Sequence, residues 1–171
     1  NYWSSTEWDN SCAYRADFWA SLAMVWRDDK QFGHTVRAVA VFGTEITSAP
    51  YKVGDYYNGG TKEGVVFEVW NGGRNGKIVS LDEIKAPWDS RVTWGLIKGY
   101  RNGTHTYADS NSDGKANTDK IMARSDSDYF PAFKWCRAKG SSWYLPAFDE
   151  LKQIYKNESV LNATLQKYGT P

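Results

Sequence analysis

The stretch Trp143-Tyr144-Leu145-Pro146-Ala147-Phe148-Asp149-Glu150-Leu151 predicts a helix and the point where it begins. Proline suits the first helical position and acidic residues suit the first turn, so we expect the helix to begin at Pro146. Its apolar positions, which fall on one face, are Phe148, Leu151, Ile154 and Tyr155. The pattern continues to Tyr168, and Gly169 suits its end. The last part of the chain is therefore expected to be helical.

Two more helices are expected upstream of this stretch. Asn117 suits the N-cap of a helix over residues 118–124. Pro131 opens a second helical pattern over residues 131–139, and Gly140 suits its C-terminal end. Helices therefore dominate the second half of the chain.

Strand patterns fill the first half of the chain. Residues 14–26 alternate in character, and residues 34–42 contain valines among alanines, which indicates strands, the second largely buried. Residues 64–70 and 76–81 flank a stretch rich in Gly and Asn, and this arrangement indicates a hairpin because those residues tolerate positive φ. Strands and helices are segregated rather than alternating, so the sequence predicts an α+β fold.

The composition is that of a water-soluble domain with an unusual number of aromatic residues. The 171 residues (19.4 kDa) carry 21 Lys+Arg and 20 Asp+Glu, a net charge of +1. A balance this even predicts neither nucleic-acid binding nor an anionic membrane as partner. The longest apolar run is far shorter than the roughly 18 residues that would span a bilayer, so no membrane insertion is expected. The 9 Trp, 11 Tyr and 7 Phe suit a recognition surface as well as a core.

The cysteines and histidines give no pattern for catalysis or zinc binding. Cys12 and Cys136 form either one disulfide or two buried thiols, and the spacing alone does not decide between them. The only histidines are His34 and His105, so no local Cys-His pair or zinc cluster is present. No serine lies in a nucleophile-elbow motif and no glycine-rich phosphate loop precedes a helix, so we expect no enzyme. Because the chain begins at Asn1 without methionine, we expect it to be a processed or cut piece.

Residues 109–114 match the first half of a calcium-binding loop. Asp109, Asn111 and Asp113 have the spacing of the oxygen ligands, and Gly114 allows the sharp turn. The position that should carry a bidentate glutamate is Lys120. A solvated turn whose side chains bond to their own backbone is the alternative, and the sequence favours it over calcium.

Several motifs together resemble one bacterial family, the Fibrobacter succinogenes major paralogous domains and their relatives with a C-type-lectin-like fold, akin to the formylglycine-generating-enzyme fold. The matching stretches cover nearly the whole chain and are Trp143 to Leu151 (W-Y-L-P-x-x-x-E-L), Asp113 to Ile121 (D-G-x-A-N-T-x-x-I), Tyr2 to Glu7 (Y-W-S-S-T-E), Val36 to Val39 (V-R-A-V), Gly54 to Tyr57 and Gly64 to Phe67. The resemblance implies two to three helices packed on twisted antiparallel strands and hairpins.

The order of these motifs differs from that of the family, because Y-W-S-S-T-E and V-R-A-V come first in this chain. Residues 1–43 thus resemble the C-terminal half of a lectin-like domain and residues 51–171 its N-terminal half, with 44–50 as a linker. Three explanations are open: one register of a tandem array, a permuted or engineered gene, and a subunit completed by its neighbour. A tandem array or polymer is the simplest of them.

The family resemblance implies ligand recognition rather than catalysis. Relatives include variable proteins diversified by retroelements, in which the segment between the Y-W-S-S-T-E and V-R-A-V motifs displays changeable side chains. The corresponding candidates, rich in the residue types of binding hot spots, are Trp8, Asn10, Tyr14, Arg15, Asp17, Trp19, Ser21, Met24, Trp26, Arg27, Asp28, Gln31 and His34. About half of them are expected to be exposed.

The resemblance further implies an extracellular or cell-surface protein whose ligand is a protein or a glycan. The formylglycine-generating relatives need a redox-active cysteine arrangement that Cys12 and Cys136 do not reproduce. A structural repeat unit of a fibre or polymer, with self-association between copies, is the alternative function. The direction of the aromatic side chains between Trp8 and Trp26 distinguishes the two.

Overall fold

Strands come before helices along most of the chain in the computed structural model, which describes residues 1–19, 22–43, 49–84, 92–95 and 105–170. Two antiparallel sheets and four helices form the described part. The predicted α+β class is confirmed. None of the described helices is long and apolar enough to cross a bilayer.

The first sheet is a meander of three strands: β1 (Tyr2–Glu7), β2 (Cys12–Trp19) and β3 (Leu22–Asp29). The pairing of β2 with β3 is continuous from Cys12↔Asp29 to Trp19↔Leu22. The alternating pattern of residues 14–26 thus belongs to two adjacent strands, as expected from its period of two.

The second sheet has the strand order β5-β6-β7-β4-β8. Its strands are β4 (Val39–Gly43), β5 (Tyr56–Asn58), β6 (Glu63–Trp70), β7 (Asn75–Ser80) and β8 (Trp143–Tyr144). The predicted hairpin joins β6 to β7, and Asn71, Gly72 and Gly73 in its turn all have positive φ. The expected strand over residues 34–42 is shorter than predicted, because residues 35 and 36 bridge singly to Tyr2 and Ile84 before β4 begins.

Four helices follow: α1 (Gly114–Met122), α2 (Pro131–Ala138), α3 (Phe148–Lys156) and α4 (Glu158–Tyr168). The prediction that α1 begins at residue 118 is wrong, because the Asp113 carboxylate accepts the Ala116 N–H at 2.8 Å and caps the helix earlier. The predicted start at Pro146 is also wrong: Glu150 Oε2 accepts the Ala147 N–H at 2.8 Å, so α3 begins at Phe148.

Strand β1 lies between the rest of its sheet and the helical half of the chain. The Ser5 N–H donates to Pro146 O at 2.8 Å, and the Glu7 N–H donates to Ala108 O at 2.7 Å. The Trp94 indole N–H donates to Ser4 O at 2.7 Å. The described residues before and after the predicted linker therefore pack on each other within one chain. Residues 44–48 of the predicted linker lie outside the described residues.

Candidate functional site

The candidate site is the β2-β3 hairpin together with the turn that precedes it. Six of the predicted residues are exposed: Trp8, Asn10, Met24, Trp26, Arg27 and Gln31. Three more are half-buried, namely Tyr14, Arg15 and Asp28, and two are buried, namely Asp17 and His34. Ser21 and the side chain of Trp19 lie outside the described part of the chain. The hairpin thus carries exposed side chains on both of its faces, Met24 and Trp26 on one and Arg27 on the other.

One face of the hairpin carries a row of rings that continues onto α3. The Arg27 guanidinium lies 4.8 Å from the centroid of the Trp8 ring, and Trp8 meets Tyr14 edge-on at 5.3 Å. The Tyr14 ring lies 5.1 Å from that of Phe148, over which Lys152 Nζ lies at 3.8 Å. We call these five residues the ring row. It offers a continuous series of aromatic contacts with a cation at each end.

The opposite face carries a partly buried ion cluster beside two exposed apolar side chains. Arg15 pairs with Trp26 across the strands, and Asp17 pairs with Met24, so all four side chains share this face. The Arg15 guanidinium forms an ion pair with Asp17, and its Nε lies 3.1 Å from Asp28 Oδ2. Trp26 and Met24, 48% and 41% exposed, thus stand next to fixed charges.

His34 completes this ion cluster from beyond the end of β3. Its Nε2 lies 3.0 Å from Asp28 Oδ2, and its ring meets Trp3 edge-on at 4.4 Å. Burial lowers the pKa of His34, which outweighs the opposite effect of the hydrogen bond to Asp28. The imidazole is therefore a neutral support for Asp28 at neutral pH.

A buried ion pair fixes the turn between β1 and β2. Lys30 (1% exposed) donates to the carboxylate of Glu7 (fully buried) and also to the carbonyl oxygens of Asp9 and Asn10, at 2.7 and 3.0 Å. The same carboxylate accepts the backbone N–H groups of residues 106 and 107. The exposed ring of Trp8 is therefore attached to a turn whose backbone the buried Lys30 side chain fixes.

The stretch proposed for calcium forms a turn that leads into a helix. Asp109, Asn111 and Asp113 are all exposed, and Asp113 caps α1 as described above. The Asn111 carbonyl accepts the Asp149 N–H at 2.8 Å. Within the described ranges, no group of three or more His, Cys, Asp or Glu side chains is placed to hold a metal ion. The role of the Asp113 side chain, which bonds to nearby backbone and leads into a helix, is that of the solvated-turn alternative.

Both cysteines are free thiols, so the alternative of a disulfide between them is wrong. Cys136 is buried in the main core, and burial raises the pKa of its thiol. Burial also raises the pKa of the half-buried Cys12, and the neighbouring carboxylates of Asp9, Asp29 and Asp28 act in the same direction. Both groups are therefore protonated and weakly nucleophilic at neutral pH.

Sequence reasoning missed two members of the ring row, Phe148 and Lys152. The apolar period of α3 placed Phe148 on the buried face of the helix, but nothing in the sequence showed that Tyr14 would cover it. No protein-family model, curated protein or solved structure matches this chain. Its function is therefore inferred from the geometry of the site and from the motif resemblance.

Proposed function

We propose that the chain is a non-catalytic recognition domain of an exported bacterial protein, with a C-type-lectin-like fold, and that it binds a protein or a glycan through the Trp8–His34 surface. The observation that carries the proposal is the exposure of Trp8 and Trp26, 46% and 48%, with Trp8 on the turn that Lys30 holds and Trp26 on the β2-β3 hairpin. Rigid, exposed aromatic side chains give large contact area at low entropic cost.

The arrangement of the family-like motifs supports the fold assignment. Thr6 Oγ1 in the Y-W-S-S-T-E stretch accepts the Phe148 N–H at 3.2 Å, and Asn117 Nδ2 donates to Ser5 Oγ at 3.1 Å. In the V-R-A-V stretch, Val39 pairs with Tyr144. Motifs that are distant in sequence thus meet in one scaffold, and the segment between two of them carries the exposed side chains.

The electrostatics of the site favour recognition over chemistry. In the ion cluster of the β2-β3 hairpin, the Arg15 guanidinium pairs with the carboxylates of Asp17 and Asp28, and the neutral imidazole of His34 supports Asp28. Ion pairs of this kind fix side-chain geometry, which a binding surface needs. Extracellular placement is part of the proposal and rests on the family resemblance.

The test is a binding screen followed by alanine substitution. The chain is screened against glycan and protein arrays, and the best ligand is titrated against the wild type and the Trp8→Ala and Trp26→Ala variants. Loss of a hot-spot side chain costs 2 kcal/mol or more, so we expect affinity to fall by about 30-fold or more for at least one of them.

Trp70→Ala is the matched control, because Trp70 is 42% exposed but ends β6 in the other sheet. Its affinity should equal that of the wild type. Equal losses in all three variants, or none in Trp8→Ala and Trp26→Ala, would disprove the assignment of the surface. Light scattering of the same samples tests the alternative of a structural polymer, which would give masses far above 19.4 kDa.

A further inference from the structure

Strand β3 is a long edge strand that no other described segment covers. It runs for eight residues at the end of the order β1-β2-β3, and no backbone hydrogen bond from another described segment reaches its outer side over residues 22–28. The edge of β1 differs, because residues 3, 5 and 7 bond there to other segments. The second sheet ends in β5 and β8, of only three and two residues. A row of unpaired N–H and C=O groups is a template for another strand.

Residues 22–26 of this edge lack the features with which proteins usually prevent pairing, and the charged residues of the strand, Arg27, Asp28 and Asp29, lie at its far end. Edge strands are commonly protected by lysine, proline, a bulge or shortness. Residues 22–26 read Leu-Ala-Met-Val-Trp, without charge, proline or glycine, and the register with β2 has no bulge. Met24 and Trp26 are exposed beside it.

We infer that two copies of this chain pair through β3, antiparallel and edge to edge, with the two-fold axis at Val25. The partner is a second copy because the edge is complementary to itself in one register. Centred on Val25, the pairing sets Met24 of each copy opposite Trp26 of the other, so two exposed apolar side chains cover each other twice. In this register, a residue whose backbone N–H and C=O point out from the edge lies opposite a residue whose N–H and C=O also point out, as an antiparallel ladder requires.

Other two-fold registers of the same edge are less favourable. An axis at Arg27 or Asp28 would set identical charges directly opposite each other, which destabilises a cross-strand pair. An axis at Trp26 would set both Met24 and Ala23 opposite acidic residues, Asp28 and Asp29, whereas the axis at Val25 makes one such pair, Leu22 with Asp28. An axis at Met24 avoids the charges but pairs only residues 22–26 of the strand, whereas the axis at Val25 pairs residues 22–28. Strand length and the match of Met24 with Trp26 thus select the register at Val25.

Edge pairing uses backbone groups and places side chains side by side, so the dimer leaves both faces of the hairpin accessible except where Met24 of one copy lies beside Trp26 of the other. It joins two three-stranded sheets into one of six strands. Such an interface is small, so association is reversible and depends on protein concentration. This inference goes beyond the proposed function, since dimerisation is measured without any ligand. On a ligand with repeated epitopes, two linked recognition surfaces would bind with avidity.

Sedimentation equilibrium across a wide range of protein concentration tests the dimer. We expect the mass to rise from 19.4 kDa toward twice that value. The Met24→Lys variant should remain monomeric, because a lysine on an edge strand opposes pairing. The matched control is Val41→Lys, since Val41 is 38% exposed but lies in β4, an interior strand of the other sheet. A monomer at every concentration, or a dimer that persists in Met24→Lys, would overturn the proposal.

Cysteine cross-linking tests the register in case a lysine variant fails to fold. In a Cys12→Ser background, Val25→Cys places two thiols on the axis, where opposite Cα atoms lie within disulfide range. We expect mild oxidation to link Val25→Cys at least ten times faster than the Val41→Cys control. Equal rates would overturn the dimer, and faster linkage through Trp26→Cys would overturn the register.

Discussion

Replacing Glu7 with glutamine should strongly destabilise the fold, because it leaves a buried lysine without its counter-ion. Glu7 is fully buried and Lys30 is 1% exposed. Removing one partner of a buried ion pair costs about 3–5 kcal/mol. Glutamine keeps the volume, and its single amide oxygen can accept the Thr106 and Tyr107 N–H groups, but its NH2 group then faces the Lys30 ammonium. We therefore expect a loss of about 3 kcal/mol or more. That is a large part of the roughly 5–15 kcal/mol that stabilises a typical domain.

Urea unfolding followed by tryptophan fluorescence measures this loss, with circular dichroism as the second probe. For a chain of this length the change corresponds to a fall in Tm of about 10 °C. The matched control is Glu63→Gln, because Glu63 is exposed and its carboxylate only accepts the Tyr56 hydroxyl at 3.1 Å. The free energy of unfolding of this control should differ from that of the wild type by less than about 0.5 kcal/mol. A loss for Glu7→Gln below about 1 kcal/mol would refute a stabilising role for the pair.

Three further outcomes are expected. Because burial lowers the pKa of His34, the unfolded chain binds its proton first as the pH falls below about 6.5, so stability should decrease there; His34→Gln should flatten that slope in urea titrations, and an unchanged slope would contradict the assignment. Gly114→Ala should lower the free energy of unfolding by about 1–3 kcal/mol, because its Cβ would lie 2.5 Å from backbone atoms of residues 145 and 147. The Cβ of Gly72→Ala has no atom within 4 Å, so this control should lose only about 1 kcal/mol, for its positive φ. Equal urea midpoints of the two variants would contradict this. The buried thiol of Cys136 should not react with a thiol reagent in the native protein and should react when the protein unfolds in urea. A fast reaction in the native protein would contradict the burial of this thiol.

The sequence predicted those elements whose structure depends on residues that are close together along the chain. The turn between β6 and β7 was predictable because Asn71, Gly72 and Gly73 supply the positive φ values it needs. The apolar period of α3 was likewise visible. The N-terminal boundaries of α1 and α3 were not, because each depends on which side chain caps the backbone: Asp113 caps α1 in place of Asn117, whose amide instead bonds to Ser110 and Ser5.

The candidate site was predictable only in part, for the same reason. The exposed residues Trp8 and Trp26 follow from composition and from the family resemblance. The ion pair of Glu7 with Lys30 joins residues 23 positions apart, and the contact of Tyr14 with Phe148 joins two different elements. Such contacts depend on tertiary packing, which no local pattern encodes.

The bonding of β1 has a consequence for how the chain folds. Its partners outside its own sheet lie far along the sequence: Asn117 is 112 residues from Ser5, and Phe148 is 142 residues from Thr6. Closing such long loops costs entropy before any contact repays it, so chains with many non-local contacts fold slowly. During synthesis, β1 leaves the ribosome more than 100 residues ahead of these partners. The apolar surface of this sheet therefore remains exposed until α1 and α3 have been synthesised, and during that interval it can bind chaperones or aggregate.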